Sequence, residues 1–445
     1  MSFDDGDSIE DPLARSQTGI RVHVPFKYDL GGRVKDVDGI RDALTDLRGI
    51  GAVEVDQATT RSWNLSYLAC HSAVLRCSLP GGTTQIAGSG WRYERNLRIF
   101  PWLGVVSVDY EFEPEQVDTN ILNFYDGLVE WKNTDYLPYL RECGVMTDGL
   151  AAHTAHASKS PAQDLHASLV LQLRARARSY ISPRPAIYAF HDFRVCFIDN
   201  ESILDQSVVK RLLWLAEPGA PDGVFEHVDA LRFGSVEISS TGWSTVLRAS
   251  AGAASPEVAK SVSLLNLAHA QWFICQLWIN IYDRDFTETE NQSVTVGVHE
   301  LSACQLSLGR DLSEVGNFDV MLKDPNLLRV ARSLERSFGV LDHRKAAEHE
   351  LRILEDHSRN LTEFAREQTA RRLAMLFSLS AAGAVAALVP ALVQINFPPF
   401  FTLITVLLLI VLWLGFALNF AVLLRWRPMS RKRRKPTVSR KRSAG

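Results

Sequence analysis

The chain lacks most of the motifs by which a sequence announces chemistry. Its six cysteines, Cys70, Cys77, Cys143, Cys196, Cys275 and Cys304, form no C-x-x-C pair and no spacing typical of a zinc site. Scattered cysteines of this kind are usually buried thiols. Gly88-Ser89-Gly90 invites comparison with a phosphate cradle, but no helix-opening Lys-Ser/Thr follows, and a turn-rich loop over GGTTQIAGSG is the expectation. No H-E-x-x-H is present, and no Ser/His/Asp order gives a positive sign of a triad. The chain is read as a non-enzyme without a catalytic site or resident cofactor. The opening MSFDDGDSIEDPLARS lacks the basic start and apolar core of a signal peptide and reads as a disordered lead-in over residues 1–17.

The most informative lack is of charge. Leu373–Val393 is a 21-residue run with no charged side chain, and Phe400–Leu424 is a second run of 25. Each is long enough, at about 1.5 Å per residue, to cross a bilayer core of about 30 Å as a helix. The spacing therefore predicts two transmembrane helices, 373–393 and 400–424, joined by a short outer loop, 394–399. Arg366, Arg371 and Arg372 precede the first run. Ten Lys/Arg and no Asp/Glu fill 425–445. The positive-inside rule then places both termini in the cytoplasm of a multi-pass protein of the inner (plasma) membrane. The remaining 424 residues carry 38 basic and 51 acidic side chains. The basic tail reads as a topology anchor that meets anionic headgroups, and no nucleic-acid partner is expected.

What precedes the uncharged runs alternates strand and helix patterns. Ile20, Val22 and Val24 alternate with Arg21, His23 and Pro25, a strand pattern, and Asp36–Arg48 suits a helix. Strands are expected at 73–79, 103–112, 186–198, 231–239 and 244–249, and helices at 117–143, 163–180 and 203–216. This predicts an α/β domain over 18–250. His153 and His156, among Ala, Thr and Ser, read as surface histidines of a linker rather than a metal pair. Ser255-Pro256-Glu257 is a strong helix start. The helix it opens, to about Tyr282, is apolar enough to be buried between neighbours or subunits. Asp283, Asp285, Glu288 and Glu290 form an acidic stretch, read as a solvated face.

Asn326–Arg372 contains no proline and a single glycine, Gly339, so it reads as one long helix or two joined there. Ala347, Leu351, Leu354, Ser358, Leu361 and Ala365 follow a 4-3-4-3 step, a heptad seam. Residues 255–372 are thus read as a long-helix stalk, continuous with the first uncharged run. That run is rich in small residues, with Ser378, Ala382 and Ala386 at four-residue spacing, and such faces let helices approach closely. The second run is bulky, which suits a sheath.

Taken together, the α/β domain, long helices, two uncharged runs and basic tail resemble the CorA family of divalent-metal transporters. The family's Gly-Met-Asn triplet corresponds in position to Gln394-Ile395-Asn396, followed by Phe397. Only Asn396 and the aromatic match. The resemblance implies an α+β membrane protein forming a homo-oligomer, a pentamer in the family. It implies a pore mouth at Gln394, Ile395 and Asn396, pore-lining positions at Ser378, Ala382 and Ala386, and a cytoplasmic mouth at Arg371 and Arg372. Magnesium would be the transported or regulatory ion. Asn396 equally suits a helix C-cap. Two functions follow as expectations: a cation channel gated by its N-terminal domain, or a membrane-anchored effector whose α/β domain senses a small-molecule or ion ligand.

Overall fold

The structure, a computed structural model, describes residues 19–47, 51–55, 74–116, 121–132, 169–170, 172–184, 191–200, 203–215, 228–250, 255–289, 294–316, 318, 322, 324–394, 403–404, 406–408, 410–411, 413–415 and 417. The chain divides into two compact units, Met1–Glu355 and Asp356–Gly445.

The first unit is built on a mixed sheet. Its strands are β1 (Ile20–Asp29), β3 (Glu54–Val55), β4 (Leu75–Ile86), β5 (Ser89–Phe100), β6 (Val105–Pro114), β8 (His191–Phe193), β9 (Val195–Asp199), β10 (Leu231–Phe233), β11 (Val236–Ser240) and β12 (Ser244–Ala249). They lie in the order β10-β11-β12-β9-β1-β6-β5-β4-β3, with β8 also on β1. Among the described strands, only β9 and β12 pair parallel. β2 (Gly32–Val34) and β7 (Ile181–Pro183) form a separate pair. The helices are α1 (Val37–Thr45), α2 (Phe124–Lys132), α3 (Gln206–Trp214), α4 (Pro256–Thr289), α5 (Val294–Ser313), α6 (Pro325–Ser337) and α7 (Val340–Gln394).

The alternation in β1 is real and continues to Asp29. Val22, Val24, Phe26 and Tyr28 point to one face, where they meet Val106, Val108, Tyr110 and Phe112 of β6 and Leu97 and Ile99 of β5 in one apolar core. Ile40 and Leu44 of α1, Phe124 and Leu128 of α2, and Val209, Leu212 and Leu213 of α3 close that core. Pro25 sits centrally in the sheet, where proline is normally excluded. It lies where the neighbour of β1 changes from β9, paired through His23, to β8, paired from Phe26. A break in the ladder accommodates the missing N–H.

The GGTTQIAGSG segment is a hairpin and not a loop. Gly82–Ile86 pair with Ser89–Tyr93, and only Ala87 and Gly88 turn, both at positive φ. Two residues with φ > 0 suit the right-handed twist of a tight hairpin. Of the two alternatives for Asn326–Arg372, two helices joined at Gly339 are present, with φ +65° there separating α6 from α7.

The expectation of a membrane protein is overturned. Among the described residues, no helix is long and apolar enough to cross a membrane. The predicted transmembrane helices 373–393 and 400–424, and with them the multi-pass fold, the inner-membrane location and the cytoplasmic placement of the termini, are therefore not supported.

Gly104 fixes the turn that hands β5 to β6. Its φ is +62°, and a Cβ there would overlap the backbone oxygen of Gly32. Gly104→Ala is expected to lower the unfolding free energy by at least about 1 kcal/mol, because both the backbone region and the space are closed to a side chain. Chemical denaturation of the two proteins checks this; an unchanged midpoint would refute it.

Candidate functional site

The face of the sheet opposite the apolar core is buried and charged. His23, Lys27 and Asp29 of β1 and Ser107 and Asp109 of β6 are completely buried, and Arg98 of β5 nearly so. α4 covers them. Its sequence explains how: among Leu264, Leu267, Ile274 and Leu277 it places Ser261, Ser263, Asn266, His269 and Gln271, all buried. A helix apolar nearly all round, with a few buried polar groups, must find partners for those groups or lose stability.

The partners form one network. Lys27 Nζ donates to Ser107 Oγ and to Asn266 Oδ1, each at 2.6 Å. Ser107 Oγ donates to Asp109 Oδ1. Asp109 Oδ2 lies 2.6 Å from Arg98 Nε, and Arg98 Nη1 donates to Ser263 Oγ at 3.2 Å. On the far side of Asn266, its Nδ2 lies 3.0 Å from His23 Nε2.

The chemistry of the donors fixes the protons. Lys27 can only donate, so the Asn266 oxygen must face it and the Asn266 amide nitrogen must face His23. His23 Nε2 is then an acceptor, and Nδ1 carries the hydrogen, 3.9 Å from Glu111 Oε1. Burial, reinforced by Arg98, Lys27 and Arg76 against the pull of Asp109, lowers the His23 pKa to about 3. The imidazole is neutral in the folded protein. Burial works against the Asp109 carboxylate, but Arg98 and Lys27 outweigh it and hold its pKa below the usual range. Glu111 moves the other way, raised by burial despite Arg98, Arg21 and Arg76.

A second charged group lies at the end of β1. Arg184 reaches Asp29 and the Leu103 carbonyl, and its Nε donates to Asp311 Oδ2 of α5 at 3.0 Å. Trp278 Nε1 of α4 donates to the same Asp311 oxygen at 2.8 Å. Burial opposes the guanidinium, yet the two carboxylates keep its pKa raised. A third group marks the start of α7. Arg194 is stacked 4.5 Å from both the Trp272 and Phe338 rings, a cation held between two aromatic faces. Phe338 caps α6, and His343 Nδ1 lies 3.0 Å from the Gly339 oxygen.

These groups hold charge and shape, and they are not a metal centre. Among the described residues no three His, Cys, Asp or Glu side chains converge to hold a metal ion. Cys77, Cys196, Cys275 and Cys304 are buried thiols outside any disulfide. Burial pushes the thiols of Cys77 and Cys275 up to about 12 and that of Cys196 up as well, so these three are not ready nucleophiles.

The residues singled out in sequence lie elsewhere. Gln394 is the last residue of α7, while Ile395 and Asn396 fall outside the described residues. Ser378 donates to the Ala374 carbonyl at 2.7 Å, one turn back on its own helix. Ala382 and Ala386 are helical positions of α7. Arg371 Nη2 pairs with Glu367 at 3.3 Å, and Arg372 is exposed. His153 and His156 lie outside the described residues, as does Glu290. Asp283, Asp285 and Glu288 fall in the last turns of α4. The buried network was missed. Its signal was present in the two hydrogen-bonding faces, His23/Lys27/Asp29 in a strand and Ser263/Asn266 in an apolar helix.

Because the folded pKa of His23 is depressed, its contribution is complete above the unfolded value near 6.5 and is lost as pH falls from there toward 3. This group alone is expected to cost up to about 1.4 kcal/mol per pH unit in that window. Denaturation at pH 7, 6, 5 and 4 should show the stability gap between wild type and His23→Gln closing with acid; parallel curves would refute the assignment. Asn266→Leu, which strands Lys27 and His23 together, is expected to cost about 3 kcal/mol at pH 7. No family model matches the chain, and neither a curated protein nor a solved structure does.

Proposed function

We propose that the chain is a ligand-responsive effector that works as a homo-oligomer, with the α/β unit receiving the signal and α7 relaying it. Of the two functions expected from sequence, transport needs spanning helices. The sensing role needs none, and it is the one carried forward here without its membrane anchor.

The observation that carries the reading is α7 itself. It is one helix of 55 residues, Val340–Gln394, whose first sixteen residues belong to the α/β unit and whose remainder belongs to the second unit. Val340, Ala347 and Leu354, seven residues apart, are buried in the first unit. The same seam continues through Leu361 and Ala365, which are half-buried. Farther along the same helix, Leu373, Leu376, Phe377 and Leu379 are 49%, 65%, 72% and 64% exposed. So large an apolar surface on one helix marks an interaction site. The small residues Ser378, Ala382 and Ala386 suit close approach of a second copy of the same helix. An unbroken helix carries a rotation or shift from one end to the other, because its backbone bonds leave no compliant joint.

The sensing end is the α4–sheet contact. Lys27 and His23 are each bonded to Asn266 of α4, and Arg98 to Ser263, so undocking α4 breaks these three contacts together. A signal that loosens α4 also reaches Trp272, and through Arg194 and Phe338 the start of α7. The reading assigns no reaction.

Native mass spectrometry of the full chain is expected to show an oligomer. Leu376→Asp with Phe377→Asp should yield a monomer with unchanged melting of the α/β unit. A monomeric wild type at micromolar concentration would overturn self-association. For the relay, Asn266→Leu should alter amide exchange within 356–379, and identical exchange there in variant and wild type would sink it.

A further inference from the structure

The polar face of the sheet reaches solvent at Glu94 and Glu111. Glu94 of β5 and Glu111 of β6 are cross-strand partners, and Glu111 is also the partner of His23 on β1. Directly opposed residues share a face with their Cβ atoms about 5 Å apart, and like charges placed so repel. Glu94 is exposed, and the Glu111 side chain keeps 27% of its surface accessible. Among the described residues neither carboxylate accepts a hydrogen bond. The single charged or ionisable contact is His23 Nδ1, 3.9 Å from Glu111 Oε1.

The arginines around the pair are committed elsewhere. Arg98 lies against Asp109, Arg21 against Glu113 at 2.7 Å, and Arg76 donates to Asn96 at 3.3 Å. Arg92, on the same face of β5, is exposed and pairs with neither glutamate. Burial raises the Glu111 pKa although Arg98, Arg21 and Arg76 pull it down. The carboxylate therefore lacks a cation in contact, not cations nearby. An independent observation points into the same place. His23 is completely buried, and its Nδ1 has no hydrogen-bond partner. With Nε2 engaged by Asn266, the Nδ1–H is aimed at Glu111 across a gap too long for a hydrogen bond.

We infer that Glu94 and Glu111 bind the primary ammonium group of a small-molecule ligand. An ammonium carries three N–H donors on one charged nitrogen, so it contacts both carboxylates at once and removes their repulsion. A divalent metal is the poorer fit, because among the described residues no third His, Cys, Asp or Glu converges with the pair. With a cation in contact Glu111 stays ionised, and an ionised carboxylate is the acceptor that the His23 Nδ1–H lacks. The ligand is thereby linked through His23 to Asn266 and so to α4. This gives the effector reading a ligand class; the link to α7 rests on that reading, and the binding step does not.

The test is saturation-transfer NMR of n-butylammonium with the full chain, which detects contact between probe and protein. Wild type is expected to transfer saturation, and Glu94→Gln and Glu111→Gln each to lose most of it. Glu94 is exposed, so its variant should melt as wild type does and tests the site even where Glu111→Gln alters stability. Tetramethylammonium has the same charge and no N–H, and several-fold less transfer is expected for it. Equal transfer in wild type and both variants would overturn the site. Displacement of butylammonium by equimolar magnesium chloride would overturn it in favour of a metal ion. Amide exchange within 356–379, with and without the probe, separates the two levels: a change supports the relay, whereas unchanged exchange beside glutamate-dependent binding counts against the effector reading and leaves the site standing.

Discussion

The contact between α4 and the sheet is the constraint on which the first unit depends. A large sheet with one apolar face usually leaves its other face to water. Here that face carries Lys27, Arg98, Asp109 and His23 and is sealed by a helix. Charges taken out of water cost several kcal/mol each unless paired and hydrogen-bonded, so the seal rests on pairing these groups with one another. Asn266 joins two of them across the interface. Its two amide ends face opposite ways, the oxygen toward Lys27 and the nitrogen toward His23, and no apolar or charged residue could serve both.

The same arrangement orders the rest of the unit. α4 is held to β1 and β5 by Asn266 and Ser263, to α5 by Trp278 and Asp311, and to the end of α6 by Trp272 around Arg194. Each link is polar or cation–π and therefore directional. Directional contacts specify one docking pose, whereas the apolar core on the other face fixes volume more than orientation. The two faces thus divide the work. Hydrophobic burial against α1, α2 and α3 supplies the driving force, and the polar face positions the helices that lead into α7.

α7 shows how burial turns one pattern into different outcomes along a single helix. At Val340, Ala347 and Leu354 the seven-residue repeat is covered by the unit it starts from. From Leu373 onward, among the described residues, large apolar side chains stay exposed. The uncharged character of 373–393 made a spanning helix the natural expectation. Among the described residues, however, no helix is long and apolar enough to cross a membrane.

Sequence by itself determined what depends on near neighbours. The alternation of β1, the Ser255-Pro256 start of α4, the split at Gly339 and the heptad step of α7 are local patterns, and periodicity or capping chemistry displays them directly. The hairpin at Ala87-Gly88 was misread because its glycines mark a tight turn as readily as a loop. What only the tertiary structure decided is which polar residues are buried together. Lys27 and Asn266 are 239 positions apart, and Arg98 and Ser263 are 165 apart. A lysine on a strand normally reads as a solvent-facing residue. Nothing local says that a helix more than two hundred residues later will cover it, because that pairing is set by the order of strands in the sheet and by the packing of α4 across them.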